Sequence, residues 1–311
     1  MKPDKNIFFV VLLCLGLTSC YQSEPRAADL GAISSPGEVT YQIESLPSPT
    51  LTITPSPSPS LTSSPIPLPP SATPVSCAQN TGVMEIKQLE TSWLQENLEY
   101  RVYTPPCYNI NHKKGYPVLY LIHGYGYNDD QWDRLGVDEV SDQLMGTGEI
   151  PPFIIVMPHD RGHNLQPPEN QFSEALINDL VKAVDTEYRT IPASQYRAIG
   201  GLSRGGNWAI HIGLTHWATF GVIGGHSAPL FVSDGPPQVR EWLDTIPPEG
   251  YPRIFMDVGE RDKWLDHIIR FEEMLDEYNI PHELYIFPGG HSEDYWSSHT
   301  EQYLRWYAWG W

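Results

Sequence analysis

The stretch IGGLSRGGNWAI, residues 199–210, decides the fold. An apolar run at residues 195–202 leads into it and a helix-like run at residues 206–215 leads out, so Ser203 lies where a strand ends and a helix begins. Residues 201–205 match the pattern G-x-S-x-G, in which small flanking residues leave room for a nucleophile on a tight turn. The alternative is a glycine-rich turn without chemistry, and the strand-to-helix setting favours the nucleophile.

Strands and helices alternate along the chain on both sides of this stretch. The apolar patterns predict strands at residues 83–92, 97–105, 116–124, 152–158, 195–202, 220–225, 251–259 and 282–290, and helices at residues 137–147, 172–188, 206–215, 264–279 and 293–309. This alternation predicts an α/β domain with a mostly parallel central sheet and helices on both faces. In such sheets, binding and catalytic residues lie beyond the carboxyl ends of the strands.

A nucleophilic serine needs a base, and folds with this motif place its partners in the order serine, acid, histidine. His291 lies beyond the last predicted strand, and two preceding glycines let its loop turn inward. The loop after residues 251–259 offers Asp262 as the acid, with Glu260 as the reserve choice. Asp262 could instead be a plain helix cap. Motif, order and placement together predict Ser203, Asp262 and His291 as nucleophile, acid and base.

Acyl transfer also needs N–H donors for the developing oxyanion. The motif assigns the backbone N–H of Arg204 to this role, and the loop after residues 116–124 offers the backbone N–H of Tyr125. The side chain of Arg204 lies at a helix N-terminus, where a cation is mildly unfavourable. We therefore expect this side chain to contact a carboxylate or to lie in solvent, and the Arg204→Met variant to keep most of the activity.

Several other side chains near strand ends are candidate pocket residues. Trp132, His159, His226 and Trp296 are expected to line the pocket, although core packing or plain surface is an alternative for each. His159 and His163 could also bind a metal ion. Their position on an apparent loop does not favour a metal site. We predict neither a metal nor a cofactor. The run WYAWGW at residues 306–311 could pack on the domain or bind a flat sugar face, and we favour packing.

The first 77 residues have a different character. Residues 1–19 carry two lysines, an apolar run and small residues, which is typical of a secretory signal. The end of this segment resembles a bacterial lipobox, which implies cleavage before Cys20 and lipid on its sulfur; ordinary signal cleavage is the alternative. Residues 20–77 predict a disordered spacer, because ten of the 30 prolines fall in residues 46–75 among Ser and Thr. Residues 78–311 then form one domain.

The cysteines and the charge fit an exported protein. Cys77 precedes the first predicted strand and Cys107 follows the second, so a hairpin would bring the two together, and we predict a disulfide between them. The net charge of −19 argues against a nucleic-acid partner. The expected partners are a small-molecule or polysaccharide-linked ester and, through the lipid on Cys20, a membrane of the cell envelope.

Four stretches carry a family resemblance: residues 118–132, the opening motif, the G-x-x-D of Gly259–Asp262, and GGHSEDYW at residues 289–296. Together they resemble the esterase D/feruloyl-esterase type of α/β-hydrolase, a group that includes enterochelin-esterase-like proteins, formylglutathione hydrolases and mycolyltransferases. The resemblance covers roughly residues 83–305. It implies the α/β-hydrolase fold without a large lid, the same triad and oxyanion donors, and no cofactor.

These observations lead to one function hypothesis and two alternatives. The leading hypothesis is a lipid-anchored serine carboxylic ester hydrolase that acts through an acyl-enzyme, with feruloyl, acetyl-xylan or siderophore esters as substrates. The first alternative is an acyltransferase of the mycolyltransferase type, which would use the same residues. The second is a surface-tethered carbohydrate-binding protein that keeps the fold without turnover.

Overall fold

The structure is a computed structural model that describes residues 78–110 and 115–311. The predicted signal and spacer, with Cys20 and Cys77, lie outside these residues. The strands of the described part are β1 (Val83–Leu89), β2 (Leu98–Thr104), β3 (Val118–Ile122), β4 (Ile154–Pro158), β5 (Arg197–Leu202), β6 (Val222–His226), β7 (Arg253–Gly259) and β8 (His282–Phe287).

Helices follow most of the strands. They are α1 (Gln131–Arg134), α2 (Val137–Gly146), α3 (Phe172–Ala175), α4 (Val181–Glu187), α5 (Arg204–Thr215), α6 (Pro236–Thr245), α7 (Leu265–Glu277) and α8 (Glu293–Ala308). A π-turn at Leu176–Leu180 joins α3 to α4, and short 3₁₀ turns cover Ser194–Tyr196 and Pro248–Gly250. None of the helices within the described ranges is long and apolar enough to cross a membrane.

The strands form one twisted sheet in the order β1-β2-β4-β3-β5-β6-β7-β8. β1 and β2 pair antiparallel, as do β2 and β4, whereas all the pairs from β4 to β8 are parallel. This order and direction are those of an α/β-hydrolase sheet, as the sequence predicts. The carboxyl ends of the parallel strands share one edge, so the loops that follow β3, β5, β7 and β8 come together there.

Each face of the sheet carries its own apolar core. Along β3, Val118, Tyr120 and Ile122 pack on one side, with residues of α4, α5, α6 and α7. Leu119 and Leu121 point to the other side, where α2 and α8 cover them. Because side chains of a strand alternate between faces, a strand buried on both sides reads as the continuous apolar run seen at residues 118–122.

All eight predicted strands and all five predicted helices are present, with ends that differ by a few residues. The sequence reading missed α1, which is a single turn, and α6, which begins at two prolines. Proline is well suited to the first turn of a helix, because its missing N–H would have no partner there. The sequence Gly235-Pro-Pro at the start of α6 could have indicated this helix.

Candidate active site

Ser203 occupies a strained backbone turn between β5 and α5. Its φ is 53° and its ψ is −120°, a conformation that residues other than glycine rarely adopt. The turn persists because it is tied on both sides: the Ser203 N–H donates to the carbonyl of His226 (2.8 Å), and the Ser203 carbonyl accepts from the N–H of Asn207 (3.0 Å). The side chain of Ser203 is thereby presented beyond the carboxyl end of β5.

The flanking glycines are required by close approach of other backbone atoms. A Cβ atom at Gly201 would collide with the backbone of Gly205. A Cβ atom at Gly205 would collide with the carbonyl oxygen of Ile122, at the end of β3. The small residues of the motif therefore let the first turn of α5 sit directly on the ends of β3 and β5.

Three side chains from three different loops form a continuous hydrogen-bonded relay. The hydroxyl of Ser203 lies 2.9 Å from Nε2 of His291, which stands on the loop after β8. Nδ1 of the same ring lies 2.9 Å from Oδ2 of Asp262, on the loop between β7 and α7. The structure thus brings together all three residues of the predicted triad, and the reserve choice, Glu260, is exposed to solvent.

The environment of Asp262 keeps its side chain ionised. Burial by itself would raise the pKa of this carboxyl, but hydrogen bonds from His291 and from the backbone N–H of Trp264 outweigh burial and hold the pKa below its ordinary value. Oδ1 accepts the Trp264 N–H at 2.9 Å, which leaves Oδ2 to face the imidazole. An anionic partner at Nδ1 fixes Nε2 as the atom that can take a proton from Ser203.

Two backbone N–H groups beside Ser203 are free to bind an anion. The N–H of Arg204 belongs to the first residue of α5, which has no acceptor within its own helix. The N–H of Tyr125 donates to no protein group in the described part of the chain. Both residues line the same cleft as Ser203 and His291. The two residues predicted as oxyanion donors therefore line one cleft with Ser203, each with its backbone N–H unused.

The loop that carries Tyr125 is held by two buried residues that the sequence reading did not single out as site residues. Nδ1 of His123 donates to the carbonyl of Gly124 (2.8 Å), and Nε2 accepts the N–H of Asp160 (2.9 Å). Burial lowers the pKa of His123 to about 4, so the ring is neutral at neutral pH, as this bonding requires. Gln131 is fully buried, and its Oε1 accepts the N–H of Gly124 at 2.8 Å.

Asp160 and Arg204 form a buried ion pair beneath one wall of the site. Oδ2 of Asp160 accepts from Nε of Arg204 (2.9 Å) and from the indole N–H of Trp208 (2.8 Å). The guanidinium also donates to the carbonyls of Gly162 (2.9 Å) and Leu165 (2.6 Å). Burial would raise the pKa of Asp160, but the charge of Arg204 holds it below its ordinary value. Arg204 thus has a carboxylate neighbour, and it anchors the loop after β4.

A cleft of about 860 Å³ opens above Ser203. Aromatic side chains contribute much of its wall, notably Tyr125, Phe231, Trp264 and Trp296. Tyr125 is 58% exposed, so the entrance is open to solvent. The described residues contain no inserted lid domain over the cleft. A flat ring attached to an ester could therefore lie between aromatic walls with its carbonyl near Ser203.

Of the four predicted pocket residues, the structure places only Trp296 in the cleft wall. The prediction is wrong for Trp132, which is 1% exposed and donates its indole N–H to the carbonyl of Ile122 (3.0 Å). It is wrong for His226, which is fully buried between Asp257 and α8. His159 lies behind the cleft wall against Glu99, whereas His163 of the same loop does line the cleft.

The His159–His163 loop is held by hydrogen bonds to its neighbours. Within residues 78–110 and 115–311, no group of three or more His, Cys, Asp or Glu side chains is arranged to hold a metal ion. Asp160 is committed to Arg204, Trp208 and Asn170. The loop contributes two residues to the site: Asp160, which is buried and binds Arg204, and His163, which lines the cleft.

The fold and the relay define an α/β-hydrolase with a Ser-His-Asp constellation. The model of the Esterase family, described as "Putative esterase", matches residues 91–307, and the chain belongs to this family.

The chain is similar to curated proteins that carry activity names. The chain is 29% identical to an "Endo-1,4-beta-xylanase/feruloyl esterase" of Xylanibacter ruminicola over 154 residues, which are 47% of this chain and 20% of that protein. It is 26% identical to "Esterase Rv1288" of Mycobacterium tuberculosis over 258 residues, with 66% of this chain and 54% of that protein covered. The chain therefore spans a fifth and about half of the lengths of these relatives.

Solved structures show the same fold. A structure described as a ferulic acid esterase superposes with a TM-score of 0.65 at 26% identity, covering 73% of this chain and 98% of that one. The serine hydrolase FphF of Staphylococcus aureus superposes with a TM-score of 0.63 at 16% identity, covering 73% and 99% of the two chains. At that lower identity, the likeness is one of fold alone.

Proposed function

We propose that this chain is a serine carboxylic ester hydrolase that works through an acyl-enzyme. The observation that carries the proposal is the relay of two 2.9 Å contacts from Ser203 through His291 to Asp262. Family membership and the unused N–H groups of Tyr125 and Arg204 support it. The intact relay disfavours the alternative of a binding protein without turnover.

In the proposed reaction, Ser203 Oγ attacks the ester carbonyl as Nε2 of His291 takes its proton. The carbonyl oxygen becomes an oxyanion, which the N–H groups of Arg204 and Tyr125 stabilise. The imidazolium, held by Asp262, then protonates the departing alcohol and leaves an acyl-serine. A water molecule, deprotonated by His291, hydrolyses the acyl-serine and restores the free hydroxyl. An alcohol in place of this water would give acyl transfer, which product analysis distinguishes.

For the substrate, we propose esters of hydroxycinnamic acids such as ferulate. Tyr125, Trp264 and Trp296 give the cleft aromatic walls suited to a flat phenolic ring. The names of the Xylanibacter relative and of the ferulic acid esterase structure point the same way. Acetyl-xylan and siderophore esters have no comparable observation in their favour.

For the setting, we propose that the domain of residues 78–311 is exported and held at the cell envelope by lipid on Cys20, with residues 20–77 as a spacer. The lipobox-like end at residues 17–20 supports this proposal. We also propose the Cys77–Cys107 disulfide. The Sγ atom of Cys107 lies 3.5 Å from the carbonyl of Gln79, only two residues along the chain from Cys77. A titration of the denatured, unreduced chain that finds both thiols free would contradict the disulfide.

The test is hydrolysis of methyl ferulate and of 4-nitrophenyl acetate by the full chain and its Ser203→Ala variant. We expect Ser203→Ala to lower kcat at least about 10³-fold on both esters, because the nucleophile is lost. Ser298→Ala, which removes an exposed hydroxyl of α8, is the matched control and should stay within about twofold. Equal rates for wild type and Ser203→Ala would overturn the esterase proposal, and activity on the acetate alone would overturn the feruloyl assignment.

A further inference from the structure

A second cavity of about 440 Å³ lies at the opposite edge of the sheet from Ser203. It is bordered by the starts of β6 and β7 and by Ser194 and Gln195, which precede β5. The six residues of β5 separate the two edges by roughly 20 Å, at about 3.3 Å per residue. The cavity is therefore distinct from the ester cleft and plays no part in the proposed reaction.

Trp309 forms one wall of this cavity and is 70% exposed. Its ring is held in place by Arg253, whose guanidinium lies 4.7 Å from the Trp309 ring centroid and 4.5 Å from that of Trp306. The same guanidinium donates to the carbonyls of Trp309 (2.6 Å) and Trp306 (2.8 Å). A large apolar ring thus lies at the surface with a cation-π contact that favours one orientation, and such preorganisation lowers the entropy lost when a ligand stacks on it.

Further aromatic residues and two polar residues line the same cavity. Trp217 and Tyr251 line the cavity, and the Gly250 backbone packs so closely on the Trp217 ring that a Cβ atom there would lie 2.6 Å from it. Gln195 and Glu249 line the cavity and are exposed, and their side chains have no hydrogen-bond partner within the described residues. The lining of the cavity therefore combines aromatic residues with unused hydrogen-bond donors and acceptors.

We propose that this cavity is a carbohydrate-binding site for a neutral pyranose chain, separate from the active site. One face of a pyranose presents C–H groups that pack on the electron-rich face of an indole, and its equatorial hydroxyls project sideways. Trp309 and Trp217 supply such faces, and Gln195 and Glu249 supply partners for the hydroxyls. The volume lies within the range of small-ligand sites.

The charge of the cavity favours a neutral glycan over an anionic surface. Its one lining cation, Arg253, is committed to two carbonyls and two rings. The lining carboxylate, Glu249, is exposed, and the chain carries a net charge of −19. An anionic membrane would be repelled by such a surface, because membrane recruitment relies on free Lys and Arg. A neutral sugar chain is not repelled by this acidic surface.

The experiment measures binding of unesterified xylohexaose and of wheat arabinoxylan to the full chain by titration calorimetry and affinity electrophoresis. We expect Trp309→Ala to weaken binding roughly 10-fold, the loss of one aromatic stacking contact. Trp309→Phe should retain most of the affinity. Trp93→Ala, which removes a tryptophan that is 40% exposed in the β1–β2 connection, is the matched control and should bind as wild type does.

Hydrolysis of 4-nitrophenyl acetate should be equal in wild type and Trp309→Ala, which separates this site from the ester cleft. Failure of the wild-type chain to bind either glycan would overturn the proposal, whether or not the chain hydrolyses esters. Equal glycan binding by Trp309→Ala and wild type would also overturn it. Binding of wild type, but not Trp309→Ala, to vesicles of phosphatidylcholine and phosphatidylserine, without glycan binding, would reassign the surface to a membrane.

Discussion

At the scale of single residues, the two carboxylates around Ser203 have different tasks. Asp262 touches His291 and orients it, whereas Asp160 touches neither Ser203 nor His291 and holds the wall beside them. Both are buried, and both keep a lowered pKa, one through hydrogen bonds to a relay and the other through a guanidinium. Substitution of Asp262 should therefore chiefly lower kcat, whereas substitution of Asp160 should chiefly lower the free energy of unfolding.

We expect Asp262→Asn to lower kcat by about 10³- to 10⁴-fold with little change in KM. An amide at this position no longer selects the tautomer whose Nε2 accepts the serine proton, and it no longer stabilises the imidazolium. Steady-state kinetics on 4-nitrophenyl acetate, with the rate of fluorophosphonate labelling of Ser203, measure the effect. Glu260→Gln, an exposed carboxylate two residues away, is the control. Comparable losses in the two variants would contradict the assignment of Asp262.

Arg204→Met should chiefly affect stability. The backbone N–H of residue 204 survives the substitution, but the carboxylate of Asp160 loses its cation in a site that is 2% exposed. Breaking a buried pair in this way costs about 3 to 5 kcal/mol of unfolding free energy. Urea unfolding measures this loss, and activity per folded molecule should remain within about twofold of wild type.

The double variant Arg204→Met with Asp160→Asn is the control for this effect. Removing both charges should recover part of the loss, since no unpaired charge is then buried. A double variant as unstable as the sum of the single variants would show that Arg204 and Asp160 act independently.

The sequence predicts this chemistry more completely than it predicts the supports around it. Ser203, Asp262 and His291 could be selected because each follows a strand and the three occur in a fixed order. The Arg204–Asp160 pair could not be selected from the sequence, because it joins residues 44 positions apart through a contact that only the packed sheet creates. His123 was visible at the end of a strand, but its role depends on the Asp160 N–H, which the sequence does not place.

At the scale of elements, the start of α5 depends on how closely it approaches the neighbouring strands. Gly205→Ala should destabilise the domain and abolish most of the activity, since the added Cβ would collide with the carbonyl of Ile122 and displace Ser203. Gly146→Ala is the matched control at the end of α2, where no atom lies within 4 Å of the added Cβ. Alanine there should be neutral or stabilise by up to about 1 kcal/mol. Thermal unfolding and ester hydrolysis by both variants test this; similar melting temperatures would contradict it.

Element packing also explains the wrong predictions for the pocket. His226 ends β6 at the edge where functional residues gather, but α8 covers that face of the sheet. Gly200 and Gly224 pair across β5 and β6, and they leave room for the hydroxyl of Tyr307, which lies 2.9 Å from Nε2 of His226. Sequence periodicity gives the face that a residue occupies. It does not give the helix that covers that face.

At the scale of the whole domain, a buried polar network connects the central sheet to the last helix, α8. Asp257 of β7 accepts hydrogen bonds from the hydroxyls of Tyr295 and Tyr303, both at 2.7 Å, and contacts Nδ1 of His226 at 2.7 Å. Because α8 begins two residues after His291, a network that holds α8 on the sheet also supports the loop that carries His291. Stability and the geometry of the relay are therefore linked.

The lowered pKa of Asp160 makes global stability depend on pH, and the lowered pKa of Asp262 acts in the same direction. A carboxyl whose pKa is lower in the folded state than in the unfolded chain stabilises the fold fully above the unfolded value, about 3.9. This contribution is lost as the pH falls through the lower, folded-state pKa. We therefore expect the free energy of unfolding of wild type to fall steeply below about pH 4.

Asp160→Asn removes this titrating group and leaves Arg204 without its carboxylate. The variant should be less stable than wild type at pH 7, and the difference between the two should shrink as the pH falls below about 4, because the unfolded wild-type chain then binds a proton at Asp160 while the folded state still keeps this carboxyl ionised. Urea unfolding monitored by tryptophan fluorescence at a series of pH values measures this difference. Glu273→Gln, an exposed carboxylate on α7, should follow wild type at every pH. A difference between Asp160→Asn and wild type that stays constant from pH 7 to 3 would mean that the charge of Asp160 does not stabilise the fold.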